Sequence, residues 1–431
     1  MRIPELYSKF LESAGISTDT RNIAPGSIFF ALRGDRFNAN EFAAEALTKG
    51  ASYAVVDQPE YAKGKSYILV SNTLEALQKL ARFHRDRLDI PVLALTGSNG
   101  KTTTKELIHA VLSRRYKVLA TRGNLNNHIG VPLTVLSIKP HHEIAVVEMG
   151  ANHVGEIALL CGIADPTYGL ITNIGRAHIG LFGGIEQIAK AKGELYDHLA
   201  ARNGVVFVNS RNELLMGMAK KFKSTVTYPA DGDYYKARLI AADPYVRLIA
   251  DNDQEVATQL IGAYNFENIA AALCIGKYFD VNPEEANAAV AAYRPENMRS
   301  QVVQKGSNTI ILDAYNANPS SMQAAIENLL AMPGDRKILI LGDMFELGDE
   351  SEREHRHLAS LIRQHGFREV YLCGALMAVA AEELPQAKHF ANKGDLIQSL
   401  KGADISNALV LVKASRGIGL EEVVEYIGQA S

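Results

Sequence analysis

The chain has 431 residues, 47% hydrophobic and 22% charged, a globular profile on a length that exceeds one core, so two or three domains are expected. Its 45 basic and 48 acidic residues leave a net charge of −3, which excludes a global electrostatic drive toward nucleic acid. Cys161, Cys274 and Cys373 are far apart and include no C-x-x-C pair, which excludes a disulfide framework and a cysteine zinc site and fits a reducing cytoplasm.

The N-terminal residues MRIPELYSKFLESAG carry charges throughout, and no apolar run of about 18 residues follows, so neither a signal peptide nor a membrane span is expected. Apolar runs at Ser27 to Leu32, Tyr53 to Val56 and Tyr67 to Val70 alternate with helical patterns at Glu41 to Lys49 and Thr73 to Arg87, which predicts a small α/β unit over residues 1–90.

From Val92 onward the pattern predicts alternating strands and helices. They fall at Val92 to Leu95, Thr103 to Ser113, Lys117 to Ala120, Glu143 to Val147, Tyr168 to Ile171 and Ile185 to Ala201. This is the grammar of a mostly parallel sheet with helices on both faces. An alanine-rich helical stretch, Asn268 to Tyr293, closes this unit at residue 294. A third unit, 295–431, repeats the grammar with strands near Thr309 to Leu312, Lys337 to Leu341, Glu369 to Leu372 and Ala408 to Val412.

The first predicted strand of the middle unit runs into LTGSNGKTTT. Gly97 and Gly100 let the backbone curl so that successive N–H groups point inward, Lys101 supplies a cation for phosphate oxygens, and Thr102 offers a hydroxyl to Mg²⁺. Leu95 stands where a Walker motif has its first glycine, so only G-x-x-G-K-T remains. The helix expected from Thr103 adds its dipole to the same anion site.

Two further strand ends carry polar residues. Glu148 ends one strand and leads into Met149-Gly150-Ala151-Asn152-His153; beside a nucleotide it would hold Mg²⁺, and otherwise it would cap the next helix. Thr172-Asn173 leads to Gly175-Arg176-Ala177-His178, placing His178 at the same sheet edge. On the helix Ile185 to Ala201, Lys192 shares a face with Ile188, Leu195 and Leu199, whereas Lys190 points away. A lysine on an apolar stripe needs a reason, and a depressed amine that serves as a nucleophile or is carbamylated provides one. Asn265 and Asn268 share one face of a starting helix, where they would either read a base edge or cap the helix. In the third unit Asp313 to Pro319, Gly342 to Gly348 and Lys413 to Arg416 follow strands and would converge on one crevice.

Taken together, TGSNGKTTTK, NLNNHIGVP, EMGANHVGEI, TNIGRAHIGLFGG, AKAKGELY, DAYNANPSSM and VKASRG resemble the Mur ligases, and STDTRNIAPGSIFFALRG at Ser17 to Gly34 resembles their first domain. The resemblance implies three α/β domains: a central phosphate-loop parallel sheet, a small N-terminal unit for a UDP-linked substrate, and a C-terminal Rossmann-like unit for the acceptor. EMGANH and YNANP resemble the member that uses ATP to join D-alanyl-D-alanine to a UDP-N-acetylmuramoyl-tripeptide.

By that resemblance Gly97, Ser98, Asn99, Gly100, Lys101, Thr102 and Thr103 hold ATP. Thr102 and Glu148 serve one Mg²⁺, while His178 and a carbamylated Lys192 serve a second. Asn265 and Asn268 face adenine, Arg299 the ATP phosphates, and Asp313, Tyr315 and Asn316 lie at ATP or the acceptor. Asp19, Thr20 and Arg21 face the uridine diphosphate. Asn126, Asn127, Asn152, His153 and Asn318 take substrate contacts, with Lys413, Ser415 and Arg416 at the C-terminal side of the cleft. No nucleic acid, no membrane insertion and a monomer are implied.

The sequence departs from the family at Tyr264, in place of a histidine, at Asn38-Ala39-Asn40, in place of D-G-H, and at Ala414, in place of glycine. The competing readings are a sister ligase, including one that acts on folate, and a GTP-dependent switch, because Asn392-Lys393-Gly394-Asp395 spells N-K-x-D.

Overall fold

The computed structural model describes residues 2–35, 37–176, 179–296 and 298–428. His178, expected as a metal ligand, lies outside the described residues. Three α/β units follow one another, each built on its own sheet.

The N-terminal sheet has four parallel strands in the order Ile16–Ser17, Ile28–Phe30, Tyr53–Val56, Tyr67–Leu69. The helix Thr73–Arg85 starts where Asn72 Oδ1 accepts the Glu75 N–H and buries Ala76, Leu77, Leu80 and Ala81, the i, i+1, i+4, i+5 stripe of an amphipathic helix. Truncating the fully buried Leu77 to alanine would cost about 2–5 kcal/mol. The same helix packs on the N-terminal helix Ile3–Glu12 and on the central unit's helices Gly130–Leu136 and Glu156–Ala164. Arg82 donates to Gly162 O (3.0 Å) and Arg85 to Ala164 O (2.9 Å), so two cations satisfy the carbonyl end of a neighbouring helix and fasten the first two units together.

The central sheet is wholly parallel, ordered Val226–Tyr228, Val205–Asn209, Tyr168–Ile171, Val92–Thr96, Ile144–Glu148, Val118–Ala120. The strands Val92–Thr96 and Ile144–Glu148 are buried along their whole length, as expected of strands covered on both faces. Register pairs Leu95 with Glu148 and Thr96 with Ile171, which brings the three carboxyl ends to one edge of the sheet.

Two parts of this unit differ from the sequence reading. The stretch Asn268 to Tyr293 is two helices, Asn265–Tyr278 and Pro283–Ala292, because Asn282 caps a new start and Pro283 cannot extend the first helix. A three-stranded antiparallel sheet, Arg238–Ala242, Tyr245–Ile249 and Glu255–Ile261, was not expected. Its Val246, Leu248, Val256 and Leu260 pack into the core around the helix Asn265–Tyr278.

The C-terminal sheet is ordered Gln301–Lys305, Asn308–Asp313, Leu409–Lys413, Lys337–Gly342, Glu369–Cys373, Ala387–Phe390. Only its first strand is antiparallel. Asn392 Oδ1 accepts the Asp395 N–H and caps the helix Lys393–Lys401, so N-K-x-D is here a helix start in the third unit, and no guanine site follows from it.

Candidate active site

A cleft of about 680 Å³ lies between the central and C-terminal units. Its floor is the phosphate loop. The helix that follows begins at Lys101, two residues earlier than the sequence indicated, and runs to Leu112. Gly100 adopts φ 77°, a left-handed conformation that favours glycine, and a Cβ there would lie 2.6 Å from Asn268 Oδ1. A Cβ on Gly97 would lie 1.9 Å from Thr172 Oγ1. Both glycines are therefore required by close neighbours as well as by the turn.

The loop is braced from the adjoining strand end. Ser98 N donates to Asn173 O (2.9 Å), Asn99 N to Asn173 Oδ1 (3.0 Å), and Thr172 Oγ1 to Asn99 O (2.6 Å). Lys101 Nζ donates to the loop carbonyls of Gly97 (2.8 Å) and Ser98 (3.2 Å). Burial pushes its ammonium down to about 8, with Glu148 opposing the shift and Arg299 adding to it.

Glu148 is buried, 1% exposed. Its Oε1 accepts from Asn126 Nδ2 (2.8 Å) and Thr102 Oγ1 (3.3 Å), while Oε2 has no partner among the described residues. A carboxylate oxygen without a donor is costly inside a protein. A hard cation shared with a phosphate would satisfy it, and Thr102 is the adjoining oxygen ligand. Among the described residues no three His, Cys, Asp or Glu side chains gather as a cage. One carboxylate and a hydroxyl beside a phosphate site is the donor set that suits Mg²⁺.

Lys192 is 2% exposed, whereas Lys190 is exposed. Among the described residues the Lys192 ammonium has no hydrogen-bond or ion-pair partner and lies 5.6 Å from the centre of the Phe182 ring. Burial, and secondarily the positive Lys101, push it down to about 7. Such an amine is substantially neutral near physiological pH.

Asn265 and Asn268 line the cleft but are already bonded. Asn265 Nδ2 donates to Ile261 O (2.8 Å), Asn268 Nδ2 to Asn265 Oδ1 (2.8 Å), and Thr104 Oγ1 to Asn268 Oδ1 (3.0 Å). Asn265 opens the helix without capping it. Tyr264 lines the same wall and its hydroxyl meets Ser300 Oγ at 2.8 Å.

The opposite wall comes from the C-terminal unit. Lys413 Nζ, nearly fully buried, donates to Asp313 Oδ2 (2.6 Å) and Asn316 O (3.1 Å). Arg299 lies 3.8 Å above the Tyr315 ring, with its Nε buried and without a hydrogen-bond partner among the described residues. Asn318 caps the helix Pro319–Ala331 and donates from Nδ2 to Asn99 Oδ1 (2.8 Å) across the cleft.

Thr103, Asn126, Asn127 and Asn152 also line the cleft. Asn127 Oδ1 is engaged by the N–H groups of Ile129 and Gly130. His153 sits outside the lining, exposed, 3.5 Å from Glu156 Oε1. Asp19, Thr20 and Arg21 are not brought to this cleft; they lie in the N-terminal unit, where Arg21 holds the Asp19 carboxyl down to about 2.

Ser415 is buried and occupied, accepting from Phe345 N (2.9 Å) and donating to Ala317 O (3.4 Å), so it shapes the wall and does not face the cleft. Arg416 is exposed and paired with Glu421 (2.7 Å). The sequence reading missed Thr172 and Asn173 as loop braces, and Ser300, Ser320 and Glu346 as lining residues. Thr172 and Asn173 lay in a strand-end motif already noted, but their reach to the loop depends on strand order.

Fold and cleft together define a phosphate-loop ligase of three α/β units. Models of the Mur ligase family, catalytic domain, the Mur ligase middle domain and the Mur ligase, glutamate ligase domain match residues 12–85, 95–276 and 298–416. The chain belongs to the Mur ligase family. Among curated relatives, the UDP-N-acetylmuramoyl-tripeptide–D-alanyl-D-alanine ligase of Bacillus subtilis (strain 168) is 37% identical, covering 95% of this chain and 92% of its own length. The ligase of the same name from Escherichia coli (strain K12) is 34% identical over 98% and 95%. Among solved structures, a crystal structure of MurF from Acinetobacter baumannii matches with a TM-score of 0.86 at 30% identity, covering 99% and 98% of the two chains. MurF ligase from Thermotoga maritima in complex with ADP matches with 0.84 at 28%, covering 97% and 98%.

Proposed function

We propose that this chain uses ATP to join D-alanyl-D-alanine to the terminal carboxylate of a UDP-N-acetylmuramoyl-tripeptide, giving the pentapeptide precursor of peptidoglycan, ADP and phosphate. The observation that carries it is the cleft itself, with a phosphate loop and an unpaired Glu148 oxygen on one wall and the Asp313–Lys413 pair on the other.

The tripeptide carboxylate attacks the γ-phosphorus and releases ADP, forming an acyl phosphate. The dipeptide amine then attacks the acyl carbon, loses a proton and expels phosphate. Two anions must meet in the first step, so charge neutralisation and alignment dominate the barrier. Lys101 leaves its loop carbonyls for the phosphate oxygens; the N–H groups that open the helix Lys101–Leu112, with Thr102 and Thr103, hold the rest of the chain of phosphates, while Ser98 and Asn99, whose N–H groups are taken by Asn173, shape the loop around them. Mg²⁺ would be held by Thr102 and Glu148 and would supply charge neutralisation when bound. Lys192, neutral enough to be carbamylated, would add an anionic oxygen ligand with His178.

Asn265 and Asn268 lie toward the base, and Arg299, Asp313, Tyr315 and Asn316 toward the phosphates and the acceptor. Asn126, Asn127 and Asn152 take the muramyl peptide side, Asp19, Thr20 and Arg21 the uridine diphosphate, Asn318 a substrate contact and Lys413 the acceptor side; His153, Ser415 and Arg416 lie outside the lining. The divisions of labour fall at 1–90, 91–294 and 295–431. The chain acts as a monomer in the cytoplasm; its three free, buried cysteines fit such a reducing compartment.

The test is product mass after incubation with each nucleotide and acceptor. ATP with D-alanyl-D-alanine should give the pentapeptide; guanine preference, or a single amino acid added in its place, would overturn the proposal.

A further inference from the structure

The central and C-terminal units also meet at contacts outside the cleft lining. Arg176 N donates to Ser320 Oγ (3.0 Å), and Arg176 Nη2 pairs with Glu354 Oε1 (2.8 Å). The Glu354 side chain is 1% exposed, and Arg353 of its own helix approaches the same oxygen at 3.4 Å. Two arginines, one from each unit, thus converge on one buried carboxylate.

Beside this pair the short helix Ile179–Phe182 lies against Leu347 and Gly348 of the C-terminal unit. A Cβ on Gly180 would fall 2.2 Å from the Leu347 carbonyl carbon and 2.3 Å from Gly348 N, both backbone atoms that cannot swing aside. Gly348 itself adopts φ 54°, and a Cβ there would stand 3.1 Å from Gly180 Cα. The clash at Gly180 is entirely between units, and its own backbone is ordinary helix. Alanine at 180 would therefore suit the central unit alone, and alanine is the better helix former.

We propose that Gly180 and Arg176 form the seat on which the C-terminal unit docks, with Leu347–Gly348 and Glu354 as its counterpart, and that they are positioning residues for the reaction. None of Arg176, Gly180, Gly348 and Glu354 lines the cleft, yet Ser320, held by Arg176 N, does. The seat fixes the start of the helix Pro319–Ala331, and with it Asn318 against Asn99, relative to the phosphate loop. Misplacing reacting groups by about 1 Å costs on the order of 100-fold in rate. The inference rests on the ligase reading above.

The experiment compares wild type with Gly180→Ala, Arg176→Ala and Arg176→Lys in phosphate release driven by ATP, tripeptide and D-alanyl-D-alanine, with melting temperature and ADP titration alongside. Gly180→Ala should lose about 100-fold in kcat while keeping wild-type melting and measurable ADP binding. Arg176→Ala should lose about tenfold, with Arg176→Lys recovering most of it, because a cation from the central unit again faces Glu354. Small-angle scattering should show a larger radius of gyration for Gly180→Ala than for wild type, because the C-terminal unit no longer seats on the central one. Gly180→Ala at wild-type kcat overturns the seat, as does a loss of activity that comes with lost ADP binding and a lowered melting temperature. An inactive wild type would instead count against the ligase reading.

Discussion

Asn318 does two things with one side chain: its Oδ1 accepts the Ser321 N–H to cap the helix Pro319–Ala331, and its Nδ2 donates to Asn99 Oδ1, 2.8 Å away in the phosphate loop. The two roles separate chemically. Asn318→Asp keeps the cap, since aspartate is as good an N-cap, but removes the donor and sets a negative charge against Asn99 Oδ1. Melting temperature should stay within experimental error while kcat falls about tenfold, the worth of one lost cross-cleft bond plus repulsion. Unchanged kcat in a stable Asn318→Asp would show that the bridge has no part in turnover.

The tightest demand on the phosphate loop is at Gly100. Alanine there must hold a left-handed backbone, at about 1–2 kcal/mol, and push Asn268 out of its bonds with Thr104 and Asn265. Calorimetric titration with ADP should show affinity lowered by at least about tenfold. Wild-type affinity would mean the loop rearranges freely.

Much of this was legible in the chain because carboxyl-terminal strand ends collect chemistry in parallel sheets. Glu148, Asp313 and Lys413 follow apolar runs whose length and β-branched content announce strands, and all three line the cleft. The inward face of Lys192 followed from its 3.6-residue spacing to Ile188, Leu195 and Leu199, and the lysine is buried. What stayed hidden depended on neighbours distant in sequence. Ser415 read as a polar strand-end residue aimed at a ligand, but Phe345 and Ala317 claim its hydroxyl. The sheet Arg238–Ile261 lacks the continuous apolar runs that mark the buried parallel strands, showing only the alternation of exposed and buried positions in Tyr245–Ile249 and Glu255–Ile261, and the helix break at Asn282-Pro283 was lost in the surrounding alanines.

Lys192 and Lys190 offer a paired test. Lys192→Ala should abolish turnover and be partly rescued by short carboxylates, which can replace the anionic oxygens of a carbamate, whereas the exposed Lys190→Ala should stay near wild type. Equal losses in both would remove the special role of the buried amine.

The same lysine sets a pH signature on stability. Its ammonium is pushed down to about 7 in the fold, while in the unfolded chain it titrates near about 10.4. Between those values the unfolded chain binds more protons, so stability rises with pH; below about 7 the cost of burying the ammonium is fully present. Lys101, pushed down to about 8, contributes with the same sign. In carbonate-free buffer, Lys192→Met should therefore gain less in urea midpoint between about pH 7 and about pH 9.5 than wild type does, without losing the gain altogether. Equal gains would contradict the assignment.

The central claim is that the phosphate loop activates a carboxylate. Tripeptide labelled with oxygen-18 in its terminal carboxylate tests it most directly. If that carboxylate attacks ATP and the dipeptide amine then displaces phosphate, each turnover should carry one labelled oxygen into the released phosphate, read by mass spectrometry. Pentapeptide formed with unlabelled phosphate would contradict the account.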